Sequence, residues 1–161
     1  MIRPAREEDL PAIGRIWNAV IRDTTATFTS QEKTDADLVA LLEERRAAGG
    51  AFLVFDAGEV SGFATYGPFR GGIGYAHTQE HTLYLDPVAQ GRGQGGELLS
   101  ALETQARSQG VHSLVGGISG ENEGAIRFHE RLGYTRVATL PQVGRKFGRY
   151  LDLVLMQKFL T

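Results

Sequence analysis

A single α/β domain spanning residues 1–161, with a mixed central sheet flanked by helices, is the fold this sequence predicts. The length carries the first part, since 161 residues suffice for one hydrophobic core and hardly for two. The pattern carries the second. Segments of period two and segments of helical period follow in the order β-α-α-β-β-β-α-β-α-β-β, which argues for a mixed sheet. The third observation is negative: no repeat, low-complexity stretch or linker marks a second domain.

The elements follow from local chemistry. Residues 2–5 form a short strand. Glu7, Glu8 and Asp9 place negative charge at a helix start, where the macrodipole favours it, and Leu10, Ile13, Trp17, Val20 and Ile21 trace the apolar stripe. Residues 22–31, rich in threonine, have no helical period and read as a loop. Phe28 within them is either a satellite core contact or a pocket wall. Thr34 to Asp37 resembles a capped helix start, Leu38, Leu41 and Leu42 supply that helix's apolar face, and Gly49-Gly50 ends it. Residues 51–55 and 60–66 make a β-hairpin across the turn 56–59. Residues 67–78 break every period and read as an irregular segment, a place where binding groups are often carried. Residues 80–85 are a strand whose alternation sets Glu80, Thr82 and Tyr84 on one face and His81, Leu83 and Leu85 on the other. A helix follows, ending near Gly110. Residues 113–118 are a strand, 122–132 a helix ended by Gly133, 134–140 a strand, 141–149 a loop rich in glycine and cations, and 151–159 a last strand.

Composition narrows the function classes. A formal net charge of -2 argues against a general nucleic-acid binder. The chain has no cysteine, so disulfides, thiolate metal sites and a cysteine nucleophile are excluded, and no two of its four histidines form a metal-binding helical pair. No metal is expected. No apolar stretch approaches the ~20 residues of a membrane span, and no signal peptide is evident, so a cytoplasmic protein is expected.

The stretch from Asp86 to Leu99 announces chemistry. Gly91, Gly93, Gly95 and Gly96 lie within six residues between a strand and a helix. Glycine lets backbone N–H groups crowd round an anion, and a helix N-terminus adds partial positive charge, so the stretch reads as a diphosphate cradle. It lacks the Gly-Lys-Ser/Thr ending of a Walker-A loop, and it lies too far along the chain for a dinucleotide fingerprint at a first strand.

The spacing Gln90-x-x-Gly93-x-Gly95 resembles the coenzyme A block of GNAT-type N-acetyltransferases. Asn122-x-x-Ala125-Ile126-x-x-His129-Glu130-Arg131-Leu132-Gly133-Tyr134 is similar to the second cofactor block of that family. Three further stretches resemble its phosphinothricin and methionine sulfoximine branch: Gly67-Pro68-Phe69-Arg70, Glu80-His81, and Val143 to Asp152. Phe28, Gln79 and Tyr150 depart from the branch pattern. The resemblance implies a GNAT-like fold, acetyl-CoA as cofactor, and a small amino acid as the amine substrate. It implies that Gln90, Gly91, Arg92, Gly93, Gln94, Gly95, Gly96 and Asn122 hold the cofactor, with Leu83, Tyr84 and Leu85 pairing its pantetheine arm. It also implies a homodimer, to whose interface exposed Phe147 and Tyr150 would be suited.

Acyl transfer assigns roles. An amine attacks only when neutral, so a base must take its proton, and Glu80 is the candidate. His129 lies seven residues after Asn122, ~10.5 Å along the same helix face, and is the candidate proton donor to the leaving thiolate. A packed core histidine is the alternative reading of His129. Arg70, Arg145, Lys146 and Arg149 as a set suit a substrate bearing a carboxylate. His77 either lines the acceptor site or faces solvent. Phe28, Arg70, Tyr75, His77, Lys146 and Phe147 are therefore the candidate acceptor-binding residues. Two rival readings stay open: the same chemistry on a polyamine or a protein N-terminus, and a non-catalytic acyl-CoA sensor.

Overall fold

The computed structural model describes residues 1–161. Strands are β1 (Ile2–Pro4), β2 (Phe52–Asp56), β3 (Val60–Pro68), β4 (Thr78–Leu85), β5 (Ser113–Ser119), β6 (Thr135–Lys146) and β7 (Arg149–Phe159). Helices are α1 (Leu10–Asp23), α2 (Asp35–Ala47), α3 (Gln94–Ser108) and α4 (Glu123–Arg131). One seven-stranded sheet runs β1-β2-β3-β4-β5-β7-β6. Every neighbouring pair is antiparallel except β4 and β5, so the sheet is mixed as expected.

Period-two alternation sends side chains to two cores. Phe52 and Val54 of β2 join Phe63 beneath α1 and α2, where Ile13, Ile21, Leu38 and Leu42 are buried. Leu53 and Phe55 face the other way, joining Ala64 and Tyr66 beneath α3 and α4 with Leu98, Leu99 and Leu102. Helices on both faces explain why β2 reads as a continuous apolar run.

The start of α2 is the capping box the sequence suggested. The Thr34 hydroxyl accepts from the Asp37 N–H at 3.1 Å, and the Asp37 carboxylate accepts from the Thr34 N–H at 2.8 Å. Glu7–Asp9 differ from expectation. They form a short 3-10 turn ahead of α1, and buried Asp9 accepts both guanidinium N–H groups of Arg3, at 2.8 and 2.9 Å, and the Arg6 N–H. The Arg3 hydrogen bonds hold the Asp9 carboxyl below its ordinary range. Its charge therefore ties β1 to the turn rather than capping a helix.

The largest correction falls on residues 141–149. They are not a loop: β6 runs to Lys146 and meets β7 across the two-residue turn Phe147-Gly148. Both turn residues have positive φ, 51° and 76°, as a type I′ hairpin requires. Pro141 discouraged a strand assignment, but β6 is the edge of the sheet, where a missing N–H costs no ladder bond. The register slips between Leu140 and Gly144, and that bulge blurs the alternation.

Leu102 is fully buried beneath the sheet. Leu102→Ala is expected to destabilise the fold by about 2–5 kcal/mol, read as a lower midpoint in urea unfolding.

Candidate active site

The site begins where the sheet stops pairing. β4 and β5 pair only through Thr78↔Ser113, Gln79↔Leu114 and Glu80↔Val115. Beyond Glu80 the two strands part, although β4 continues to Leu85 and β5 to Ser119. The gap opens into a cleft of about 1130 Å³, large for a small-molecule site. On its β5 side, residues 81–85 of β4 keep backbone groups that no neighbouring strand uses.

At one end of the cleft lies the glycine turn. Gly91 and Gly93 have φ of 76° and 82°, which lets the chain turn sharply into α3. The N–H groups of Gly91, Arg92, Gly93, Gln94, Gly95 and Gly96 donate to no protein acceptor, and the first amide of this stretch to do so is Glu97, bonded to Gly93 O at 3.1 Å. Six donors without a protein acceptor, in and just before the first turn of a 15-residue helix, suit an anion of two phosphates. A Cβ on Gly95 would press against Leu85 and Phe128 at 3.4 Å, so glycine also permits close packing of α3 there. Gln90, Gly91, Gly93, Gly95, Gly96 and Asn122 line the cleft, as do Leu83, Tyr84 and Leu85.

Arg92 and Gln94 offer only their backbone to the turn. The Arg92 side chain is exposed and does not line the cleft. The Gln94 side chain is already engaged, accepting the Ser61 hydroxyl at 2.8 Å and fastening α3 to β3. The Asn122 carbonyl oxygen caps α4 by accepting the Ala125 N–H at 3.1 Å. Arg131, which the sequence reading passed over, lines the cleft and is free of ion pairs. A cation in a helix's last turn reads as a dipole partner, which hid it.

Glu80 lies where β4 and β5 part. Its carboxylate is half-buried, makes no hydrogen bond or ion pair, and is pushed up in pKa by burial. A Cβ on Gly117 would stand 3.0 Å from its Oε2, so the Gly116-Gly117 step of β5 makes room for it. Gly116 performs the same service on the opposite face. A Cβ there would meet His81 Nε2 at 2.9 Å and His129 Nε2 at 3.3 Å. Sequence reasoning missed both glycines, though a Gly-Gly step inside a strand is itself a sign of close approach.

His81 and His129 lie stacked, with ring centroids 5.0 Å apart and planes within 6°. His129 Nδ1 bonds the Ala125 carbonyl at 2.7 Å, and a carbonyl only accepts, so the proton sits on Nδ1. His129 Nε2 is then the acceptor facing His81 Nε2, 3.1 Å away. Burial lowers both pKa values, that of His81 to about 3. His129, the expected proton donor, borders the cleft with both ring nitrogens engaged. The residue is the packed imidazole of the alternative reading, with His81 as its partner.

The other wall of the cleft is residues 24–28, and Phe28 belongs to it. The remaining acceptor-binding candidates do not come together there. Arg70 lies over the Tyr75 ring at 5.4 Å in the exposed connection between β3 and β4. His77 Nδ1 donates to the Gly110 carbonyl at 3.0 Å, outside the cleft. Phe147 sits exposed at the hairpin turn. Buried Lys146 donates to the carbonyls of Thr24 and Thr27, at 2.5 and 2.9 Å, which removes it as a free substrate cation. Arg145 covers the Tyr150 ring at 4.5 Å, and Arg149 forms a two-pronged ion pair with Glu121. No three acidic or histidine side chains gather as a metal site would need, and no helix is long and apolar enough to cross a membrane.

A split parallel pair, a glycine turn feeding a helix and an unpaired carboxylate thus meet in one cleft. The acetyltransferase (GNAT) family model matches residues 17–134, and the chain belongs to that family. It is 41% identical over 157 residues to an L-methionine sulfoximine/L-methionine sulfone acetyltransferase of Salmonella typhimurium, covering 97% of this chain and 92% of the relative. A phosphinothricin N-acetyltransferase of Streptomyces coelicolor is 34% identical, with 98% and 94% covered. The solved structure of yncA from Salmonella typhimurium with its cofactor acetyl-CoA superposes with a TM-score of 0.97 at 40% identity, covering 100% of this chain and 94% of that one.

Gly93→Asp sets a carboxylate among the free N–H groups and strains a positive φ. Acetyl-CoA affinity, measured by titration calorimetry, is expected to fall by more than about tenfold, or ~1.4 kcal/mol, while the circular dichroism spectrum is retained.

Proposed function

We propose that this chain acetylates the α-amine of a small amino acid such as methionine sulfoximine, methionine sulfone or phosphinothricin, using acetyl-CoA in a ternary complex. The observation that carries the reading is the shared cleft: six free N–H groups at one end and the unpaired Glu80 carboxylate at the split of the sheet. Acetyl-CoA supplies an activated thioester when bound.

The N–H groups of residues 91–96 hold the diphosphate, with Arg131 beside them. The open edge of β4 from His81 to Leu85 would pair the amides of the pantetheine arm. Backbone N–H groups on that edge, free of a partner strand, would be donors available to an oxygen that gains negative charge. Glu80 Oε2 receives the amine proton, directly or through one water, and its raised pKa makes it a stronger base than an exposed carboxylate. His81 and His129, a neutral pair, form the inner wall of the slot without donating a proton.

Of the lysines and arginines of one chain, Arg131 alone lines the cleft. A homodimer, in which the exposed Arg70 connection or the Phe147 hairpin of a second copy approaches the acceptor, completes the site in this reading. Size-exclusion chromatography with light scattering tests it. We assign a cytoplasmic location, where a cysteine-free acetyl-CoA enzyme meets its cofactor.

A panel of amines assayed for acetyl-CoA-dependent thiol release tests the function. Turnover of methionine sulfoximine, methionine sulfone or phosphinothricin is expected. Turnover of polyamines alone would overturn the substrate class, and tight acetyl-CoA binding with no acetylation would make the protein a sensor. Glu80→Gln is expected to lower kcat by about 10²–10⁴. The loss is greatest at low pH, where little amine is neutral, and shrinks as pH rises toward the amine pKa; an unaltered pH profile would remove Glu80 as base. Stability should move the other way. A carboxyl whose folded pKa is raised binds its proton more tightly in the folded state, so its stabilisation is lost as pH rises through that pKa. At pH near 7 the ionised group destabilises, and Glu80→Gln is expected to raise Tm.

A further inference from the structure

We propose that Lys146 is a positioning residue for the acceptor amine, acting through the loop that walls the cleft; the inference rests on the function proposed above. Thr24, Thr25, Ala26, Thr27 and Phe28 are five consecutive cleft-lining residues with no helix or strand of their own. Local bonds order only its start, where the Thr24 hydroxyl donates to Val20 O at 2.8 Å and accepts the Ala26 N–H at 3.1 Å, so the rest is held from outside. The Lys146 ammonium reaches in from the end of β6 and donates to the carbonyls of both Thr24 and Thr27. Those two carbonyls bracket the loop, and one cation between them closes it into a fixed arc.

Two contacts extend the arrangement. Phe28 packs against Gly144, two residues before Lys146, where a Cβ would come within 2.3 Å of the ring. Thr25 donates to Glu121 at 3.2 Å, and Glu121 is itself held by Arg149 on the far side of the hairpin turn. The β6–β7 hairpin thus fastens the wall at both ends. Tyr84 lines the same cleft as the wall and shares its strand face with Glu80. A shift of the wall alters the space beside the base, whereas the glycine turn at the other end of the cleft makes no contact with Lys146.

The buried charge has no carboxylate partner, so it is held by the two carbonyls and by the Phe147 ring at 5.2 Å. Methionine has the length of the stem but none of the donors. Arginine restores donors to the same carbonyls.

The test combines hydrogen exchange with kinetics on the full chain. In Lys146→Met, amides of residues 24–28 are expected to exchange faster while those of α3 are unchanged. The acceptor KM is expected to rise at least about tenfold, with kcat reduced less and the acetyl-CoA Kd within about twofold of wild type. Lys146→Arg is expected to recover much of the acceptor KM. Should the methionine variant not fold, Gly144→Ala, which keeps the ammonium and displaces Phe28, is expected to raise the acceptor KM in the same selective way. Unchanged exchange at 24–28, or equal changes in acceptor KM and acetyl-CoA Kd, would overturn the proposal. Because exchange is read without turnover, failure of the tether is distinguishable from failure of the acetyl-transfer reading, which would show as a wild-type protein inactive on every amine.

Discussion

Everything in the cleft depends on one interruption, the end of β4–β5 pairing at Glu80↔Val115. A sheet that stayed paired to Leu85 would leave neither a slot for an extended ligand nor a free backbone edge beside it. The strands are kept apart by what fills the gap. On one face the His81 and His129 rings occupy the space over Gly116; on the other the Glu80 carboxylate occupies the space over Gly117. The two glycines allow both groups to approach the same strand, so base and imidazole pair lie back to back without touching.

The unsatisfied groups of this protein concentrate at that gap. Elsewhere, the Tyr66 hydroxyl apart, buried side-chain polar groups find partners. Glu103 under the sheet accepts the Tyr134 hydroxyl and the Lys158 ammonium, each at 2.8 Å. Along the cleft the six amides of the glycine turn, the Glu80 carboxylate and the buried His81 Nδ1 have none. Glu80 and His81 Nδ1 are withdrawn from water without a partner, which costs stability, while the largely exposed glycine-turn amides stand ready for an acceptor, so their gathering in one cleft points to chemistry rather than to folding.

The hairpin shows how a segment remote from the base still shapes its surroundings. A type I′ turn brings Lys146 and Arg149 into opposite positions on neighbouring strands. One then reaches the loop after α1 directly and the other reaches it through Glu121. Charged residues that look like a substrate clamp in a list of residue types become internal fastenings once the strand pairing is drawn.

Local and periodic features were legible in the sequence. The order of elements, the capping box at Thr34, the alternation of Glu80 against His81 and the glycine turn all depend on neighbours within a few residues. The family blocks around Gly93 and Asn122 are likewise short and contiguous. Tertiary structure alone decided where long side chains end. Lys146 closes on carbonyls some 120 residues earlier in the chain, and His129 meets His81 across two elements. The edge position of β6, which admits Pro141 into a strand, is a property of sheet order rather than of local pattern. A side chain's type says what it can bond, but the partner it finds depends on long-range pairing, and that pairing sets Lys146, read as a substrate cation, on the Thr24 and Thr27 carbonyls and His129, read as a proton donor, against His81.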